Sequence, residues 1–94
     1  MKFNQKKEQG DTLIQLYLWD SCPFCRKVSA AVAELDLVEG TDFEIIPAGP
    51  GTPGRLIVEE RGGKAMVPFL VDGELSMYES DEIIDYLRQK NRIG

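Results

Sequence analysis

The sequence predicts an α/β protein with one mixed four-stranded sheet and helices on its faces, in the order βαβ, helix, ββ, helix. Three observations lead to this class. The hydrophobic period changes from strand-like to helix-like near Cys22, Asp72-Gly73 separates two apolar runs, and a polar helix start at Ser80 precedes a final apolar stripe. A chain of 94 residues is long enough for one domain with one small core.

The first half of the chain predicts a βαβ unit. Residues 13–19 are apolar on nearly both faces, as expected of a strand that is covered on both sides. Pro23 suits the first position of a helix, and the apolar stripe after it predicts that the helix runs to about Val38, with Gly40 just past its end. Residues 42–46 then predict a second strand, parallel to the first and stopped by a proline.

A loop and a short helix are expected next. Residues 47–54 hold three prolines and three glycines, which is typical of a loop. Thr52 suits a helix N-cap, and Pro53 suits the first helical position after it. We therefore expect a short helix over residues 53–61 that ends at Gly62-Gly63.

The last third of the chain predicts a hairpin and a helix. Asp72-Gly73 is a strong turn signal between the apolar runs 68–71 and 74–77. A helix should begin near Ser80, because acidic residues occupy its first turn and basic residues its last, which suits the helix dipole.

Composition limits the possible functions. Residues 1–11 are expected to be a flexible N-terminal leader without the apolar segment of a secretory signal, and residues 12–94 the folded domain. No run approaches the ~20 apolar residues of a membrane span. A net charge of −5 argues against nucleic acid, and the absence of histidine excludes a His-assisted nucleophile. We therefore expect a cytoplasmic monomer with no membrane or nucleic-acid partner and no metal, since two cysteines cannot close a structural zinc site.

The two cysteines of the chain, Cys22 and Cys25, lie at the predicted strand-to-helix junction. Residues three apart on a helix have Cβ atoms about 5–6 Å apart, and a disulfide needs roughly 3.5–4.5 Å, so a small adjustment of the first turn would allow the bond. A cysteine pair at such a turn favours a redox role over two inert buried thiols, which remains the alternative.

The two thiols are expected to differ. Cys22 should face the positive end of the helix, where a cysteine pKa of about 8.5 falls to roughly 3.5–7.5. Arg26 and Lys27 add positive charge nearby, whereas Asp20 opposes it. We therefore predict that Cys22 attacks a substrate disulfide and that Cys25 resolves the mixed disulfide that forms.

Four groups of residues together resemble the glutaredoxins of the thioredoxin-fold superfamily: Cys22-Pro23-Phe24-Cys25, Met66-Val67-Pro68, Asp72-Gly73 and Tyr78-Glu79-Ser80-Asp81. The resemblance covers residues 13–91. It implies a thioredoxin-like (glutaredoxin) fold, glutathione as reductant, and disulfide-containing or glutathionylated proteins as partners.

The resemblance also implies how glutathione would be held. The Val67-Pro68 bond would be cis and would face the cysteines, with the Val67 backbone binding the cysteinyl part. Ser80 and Asp81 would hold the γ-glutamyl end, and Glu79-Ser80 is also similar to the Glu-Ser pair of glutathione transferase N-terminal domains. The full set of candidate binding residues is Pro23, Phe24, Lys64, Met66, Val67, Pro68, Glu79, Ser80 and Asp81.

The glycyl carboxylate of glutathione needs a cation, for which Lys64, Arg61 and Arg26 are candidates. The chain also departs from the usual glutaredoxin pattern at several positions. Trp19 replaces a lysine, Phe24 a tyrosine, Met66 a threonine, and Tyr78-Glu79 a Gly-Gly pair.

The sequence thus favours a glutathione-dependent dithiol–disulfide oxidoreductase. Two alternatives are a module that binds an iron–sulfur cluster together with glutathione, and a thioredoxin-like protein reduced by a protein reductase. A free-standing transferase-like binding module is a further alternative, which we expect less because 94 residues leave no room for the added helical domain of transferases.

Overall fold

The computed structural model describes residues 13–93 of the chain, so the predicted leader lies outside the described residues. Seven elements follow one another in the predicted order. They are β1 (Ile14–Leu18), α1 (Pro23–Glu34), β2 (Phe43–Pro47), α2 (Pro53–Gly62), β3 (Phe69–Asp72), β4 (Leu75–Met77) and α3 (Ser80–Ile93).

The four strands form one sheet in the order β2-β1-β3-β4. Strand β1 is parallel to β2 and antiparallel to β3, and β3 is antiparallel to β4. Helices α1 and α3 pack on one face of the sheet over Leu16 and Leu70, while Val58 of α2 packs on the other face against Tyr17 and Phe69. The predicted α/β class and the mixed four-stranded sheet are confirmed.

Helix α1 ends earlier than predicted, so the expected extension to Val38 is wrong. Its C-cap is Leu35, and Asp36 adopts the left-handed region with a φ of 58°. The Leu37 N–H then donates to the Val32 carbonyl at 3.2 Å, which closes a Schellman turn. Because Leu35 and Leu37 both pack against the core, the apolar pattern continues after the helix has stopped.

Helix α2 begins as predicted, since the Thr52 hydroxyl accepts a hydrogen bond from the Arg55 N–H at 3.2 Å. The helix ends at Gly62, and Gly63 caps it with a φ of 91°. Gly54, an unfavourable residue inside a helix, is needed because a Cβ there would collide with the Pro47 carbonyl at the end of β2. Among the described residues, no helix is long and apolar enough to cross a membrane.

Candidate functional site

Cys22 is the N-cap residue of α1 and has an extended backbone, with φ −96° and ψ 118°. Its carbonyl accepts hydrogen bonds from the N–H groups of Cys25 at 3.1 Å and Arg26 at 3.2 Å. Its side chain makes no capping hydrogen bond, and Pro23 begins the helix. The thiol is therefore half-buried at the positive end of the helix and remains available to other partners.

Cys25 lies one turn deeper and is only 2% exposed. The pKa of its thiol is raised to about 12: burial is the main cause, the hydrogen bond and charge of Cys22 act in the same direction, and the Trp19 N–H and the charge of Arg55 act against them. The Trp19 N–H donates to Cys25 Sγ at 3.4 Å. Both cysteines are free thiols, and they differ in burial, since Cys22 is half-buried and Cys25 is buried.

The Val67-Pro68 peptide bond is cis, as the glutaredoxin resemblance implied. It lies opposite the start of α1, and Cys22 Sγ is 3.8 Å from the Val67 carbonyl oxygen. The Val67 backbone therefore faces the outer cysteine and could present its polar groups to a ligand bound there.

A surface groove of about 210 Å³ runs from this point to the start of α3. It brings together most of the predicted binding residues: Phe24, Met66, Val67, Pro68, Glu79, Ser80 and Asp81. Lys27 and Tyr78 also line it, although neither was among them. Pro23 and Lys64 do not line the groove, since Pro23 is the first residue of α1 and Lys64 lies on the segment that leads to Val67.

The groove ends between α1 and α3. Lys27 Nζ lies 2.7 Å from Asp81 Oδ1, which joins the two helices across the groove. Ser80 is buried at the start of α3. The Ile83 N–H donates to the Glu79 carbonyl at 2.9 Å, so Glu79 is the N-cap and the next N–H groups have no partner within the helix.

The three candidate cations lie in different places. The Arg61 guanidinium donates to the Gly73 carbonyl at 2.8 Å, which ties it to the β3–β4 turn. Arg26 Nε donates to the Asp20 carbonyl at 3.2 Å beside the β1–α1 turn. Lys64 is exposed, and its side chain makes no hydrogen bond or ion pair with any of the residues described.

Two residues that sequence reasoning did not select hold the segment before Val67. The Arg55 guanidinium donates to the Ala48 carbonyl at 2.7 Å and to the Ala65 carbonyl at 3.0 Å. The Tyr78 hydroxyl accepts from the Lys64 N–H at 2.9 Å and donates to the Lys64 carbonyl at 2.6 Å. The departure from Gly-Gly at Tyr78 drew attention to that position without indicating a role for it, and no sequence pattern marked Arg55.

Behind Cys25 lies a second cavity of about 640 Å³. Trp19, Ile45 and Pro47 form much of its wall, and Arg55 lies 5.8 Å from the centre of the Trp19 ring. Cys25 lines this cavity, whereas the groove is lined by other residues, among them the neighbouring Phe24. Within residues 13–93, no group of three or more His, Cys, Asp or Glu side chains could hold a metal ion.

Comparison with known proteins identifies the family. The model of the glutathione S-transferase N-terminal domain matches residues 16–92. The chain belongs to this family. The thioredoxin-like fold and the similarity of Glu79-Ser80 to transferases agree with this membership. A comparison with curated proteins gives no match.

Several solved structures are similar to this member of the transferase N-terminal domain family. A glutathione S-transferase-I bound with lactoylglutathione shares 28% identity, with a TM-score of 0.67 over 86% of this chain and 38% of that one. Human glutathione-S-transferase T1-1 in its apo form shares 26% sequence identity, with a TM-score of 0.70 over 84% of this chain and 32% of that one. Ure2p in complex with glutathione shares 26% sequence identity, with a TM-score of 0.67 over 90% of this chain and 36% of that one. The chain thus spans between 32% and 38% of the length of these proteins.

Proposed function

We propose that this domain is a glutathione-dependent thiol–disulfide oxidoreductase of the glutaredoxin type. It reduces glutathione mixed disulfides and protein disulfides in a reducing compartment such as the cytoplasm. The observation that carries this proposal is the pairing of Cys22 and Cys25 at the start of α1, with the outer sulfur 3.8 Å from the Val67 carbonyl at the end of a groove.

Glutathione fits the groove in chemical terms. A ligand whose sulfur lies at Cys22 has the Val67 backbone beside its cysteinyl part. Its γ-glutamyl end then reaches the start of α3, where helix N–H groups favour a carboxylate. Two of the similar proteins have a glutathione compound bound, lactoylglutathione in glutathione S-transferase-I and glutathione in Ure2p, which supports this choice of ligand.

The reaction on a glutathionylated protein has two displacements. The Cys22 thiolate attacks the glutathione sulfur and forms a Cys22–glutathione disulfide, so the S–S bond between glutathione and the substrate protein breaks and that protein leaves as a thiolate, which takes a proton from water. A second glutathione thiolate then attacks the glutathione sulfur of the mixed disulfide, which releases oxidised glutathione and restores Cys22. In net terms, one glutathionylated protein and one free glutathione become the reduced protein thiol and one oxidised glutathione.

A protein disulfide uses the inner cysteine as well. Cys22 attacks one sulfur of the disulfide, and Cys25 then attacks the Cys22 sulfur, which frees the second substrate thiol and leaves a Cys22–Cys25 disulfide. Two glutathione molecules reduce this disulfide and leave as oxidised glutathione. The Trp19 N–H, 3.4 Å from Cys25 Sγ, stabilises the Cys25 thiolate during the attack.

Glutathione-coupled assays with two substrates test the proposal. Cys22→Ser is expected to have no turnover on either a small glutathione mixed disulfide or a protein disulfide. Cys25→Ser should keep activity on the mixed disulfide and lose the dithiol route to protein disulfides. Ser21→Ala, an exposed neighbour, serves as the matched control and should behave as the wild type.

The outcome separates the alternatives. A Cys22→Ser variant with wild-type turnover contradicts the proposed nucleophile. Turnover supported by a protein reductase but not by glutathione indicates the thioredoxin-like function. A brown, dimeric product after anaerobic reconstitution with iron and sulfide indicates the cluster-binding function.

The family match favours one second candidate, the glutathione-binding part of a conjugating transferase. In that case the groove binds glutathione, and the glutathione thiol itself attacks an electrophile. Conjugation of an aryl halide by the Cys22→Ser variant would support this function, because the conjugation requires no protein thiol.

A further inference from the structure

The groove ends at a cation and an anion on two different helices. Lys27 comes from α1 and Asp81 from α3, and their charged atoms are 2.7 Å apart. Together with Glu79, they are the charged side chains among the residues that line the groove. Both members of the pair are largely solvent-exposed, with side-chain exposures of 52% and 80%, so separating them costs little.

Ser80 adds an independent sign of a ligand at this end. It is 8% exposed, which makes it the buried polar side chain of the described core. It lines the groove, and its hydroxyl has no side-chain hydrogen bond to any residue in the described part of the chain. Buried hydroxyls normally have a partner, so this one is placed to receive a polar group of a ligand. The N–H groups at the start of α3 lie beside it and favour an anion.

We propose that Lys27 is a specificity-determining residue that binds the α-carboxylate of a ligand whose end is a zwitterionic α-amino acid. The ligand carboxylate lies between Lys27 Nζ and the Ser80 end of α3, and its ammonium pairs with Asp81. One exposed ion pair is thereby exchanged for two contacts to a head group that carries both charges on one carbon. This inference rests on the proposed function, in which the γ-glutamyl end of glutathione supplies that head group.

The geometry explains why the cation comes from α1. Lys27 lies two residues after Cys25, so its position is fixed by the same helix that positions the cysteine pair. A ligand bound through Lys27 and through the sulfur site at Cys22 therefore contacts α1 twice, once with its amino acid end and once with its sulfur. Selectivity for the amino acid end is then coupled to correct placement of the sulfur, because both contacts belong to one rigid element.

Equilibrium binding of three S-methylated probes tests the role of Lys27 without any thiol chemistry. The first is S-methylglutathione. The second has a glutaryl group in place of γ-glutamyl and lacks only the ammonium. The third has a 4-aminobutanoyl group and lacks only the α-carboxylate. Titration calorimetry on the full, reduced chain gives the dissociation constant of each probe for wild type, Lys27→Gln, Lys27→Arg and Asp81→Asn.

Lys27→Gln should weaken S-methylglutathione about tenfold, because a charge-assisted contact is lost at a partly exposed site. The same substitution should leave the probe without the carboxylate unchanged within about twofold, since that probe offers Lys27 nothing to bind. Lys27→Arg should restore binding. Asp81→Asn should weaken S-methylglutathione and spare the probe without the ammonium. Arg88→Gln, which removes an exposed α3 cation outside the groove, is the matched charge control and should change none of the constants.

Two outcomes overturn the role of Lys27 while the proposed function stands. In one, Lys27→Gln binds S-methylglutathione as well as or better than the wild type, so that Lys27 only competes for Asp81. In the other, Lys27→Gln weakens all three probes equally, which indicates a structural effect. If the wild type binds none of the probes, the glutathione function and the role of Lys27 both fail.

Discussion

The two cysteines are one helical turn apart and occupy opposite environments. Cys22 is half-buried, faces the Val67 carbonyl at the head of the groove, and lies at the positive end of α1. Cys25 is 2% exposed, and burial raises its thiol pKa to about 12. A rotation of one turn thus separates a sulfur that a substrate can reach from one that is held as a thiol. In the proposed function, a substrate disulfide can therefore reach Cys22 directly. The later attack by Cys25 depends on groups that stabilise its thiolate, such as the Trp19 N–H.

The segment before Val67 is held in place by two side chains, one near Cys25 and one that lines the groove. Arg55 holds it through the Ala65 carbonyl from the side of Cys25, and Tyr78 holds it through Lys64 from the side of the groove. Substitutions at Arg55 and Tyr78 should therefore separate effects on the inner cysteine from effects on the groove.

The largest expected effect is the pH dependence of the resolving step. While the pH is below the Cys25 pKa of about 12, the thiolate is the minor form. Its fraction grows roughly tenfold per pH unit, so attack on the Cys22 mixed disulfide should accelerate about a hundredfold from pH 6 to 8 and still rise at pH 9. Release of glutathione from a preformed Cys22–glutathione disulfide, followed by rapid quench and mass analysis, measures this rate.

Cys25→Ser provides the control, because the intramolecular release should disappear while attack by external glutathione continues. A plateau of the intramolecular rate below pH 8 would show that Cys25 has an ordinary acidity and that the two thiols do not differ as their burial indicates.

The next effect concerns Arg55, whose charge lowers the pKa of Cys25 and whose guanidinium bridges Ala48 and Ala65. Arg55→Met should slow the resolving step a few-fold, because the Cys25 thiolate loses a cation whose charge lowers the pKa of that thiol. Affinity for S-methylglutathione should also fall, since the segment before Val67 loses a tether. Rapid-quench rates and calorimetry on the same protein give the two readouts.

Arg55→Lys is the matched variant, because it keeps the charge and cannot bridge two carbonyls with a planar fork. If Arg55→Lys resolves near the wild-type rate but binds S-methylglutathione more weakly, then the charge of Arg55 acts on Cys25 and its two hydrogen bonds act on the groove. If Arg55→Met changes neither readout, Arg55 is a surface tether that influences neither cysteine.

Several features of the fold and site could be predicted because they depend on neighbouring residues. The change of hydrophobic period placed α1 directly after β1, and the Thr52 cap and the Asp72-Gly73 turn were found from short-range signals. Gly73 has a φ of 64°, as the turn requires. The cis bond at Val67-Pro68 came from family resemblance, since the proline alone does not indicate it.

The remaining features depend on contacts between distant parts of the chain. The end of α1 was missed because Asp36 in the left-handed region is a weaker signal than glycine, and because the apolar pattern continued through Leu37. Arg55 reaches a carbonyl ten residues away, and Lys27 meets an acid that lies 54 residues further along the chain. A pattern read along the sequence does not tell which of several cations is close to a given carbonyl or acid.

The smallest expected effect is that of Tyr78→Phe on the groove side. The hydroxyl makes two hydrogen bonds to the Lys64 backbone, which is exposed and can bind water instead, so the loss should destabilise the fold by only about 1 kcal/mol. The ring still packs on Phe69, with centroids 4.7 Å apart, so the core is retained.

Binding of S-methylglutathione to Tyr78→Phe should weaken a few-fold, roughly as that energy implies, while the resolving rate of the Cys22–glutathione disulfide stays unchanged. Denaturant unfolding, calorimetry and rapid quench measure the three quantities. A slower resolving step in Tyr78→Phe would mean that Lys64 and Cys25 are coupled through the segment before Val67, and that the two sides of the cysteine pair are not independent.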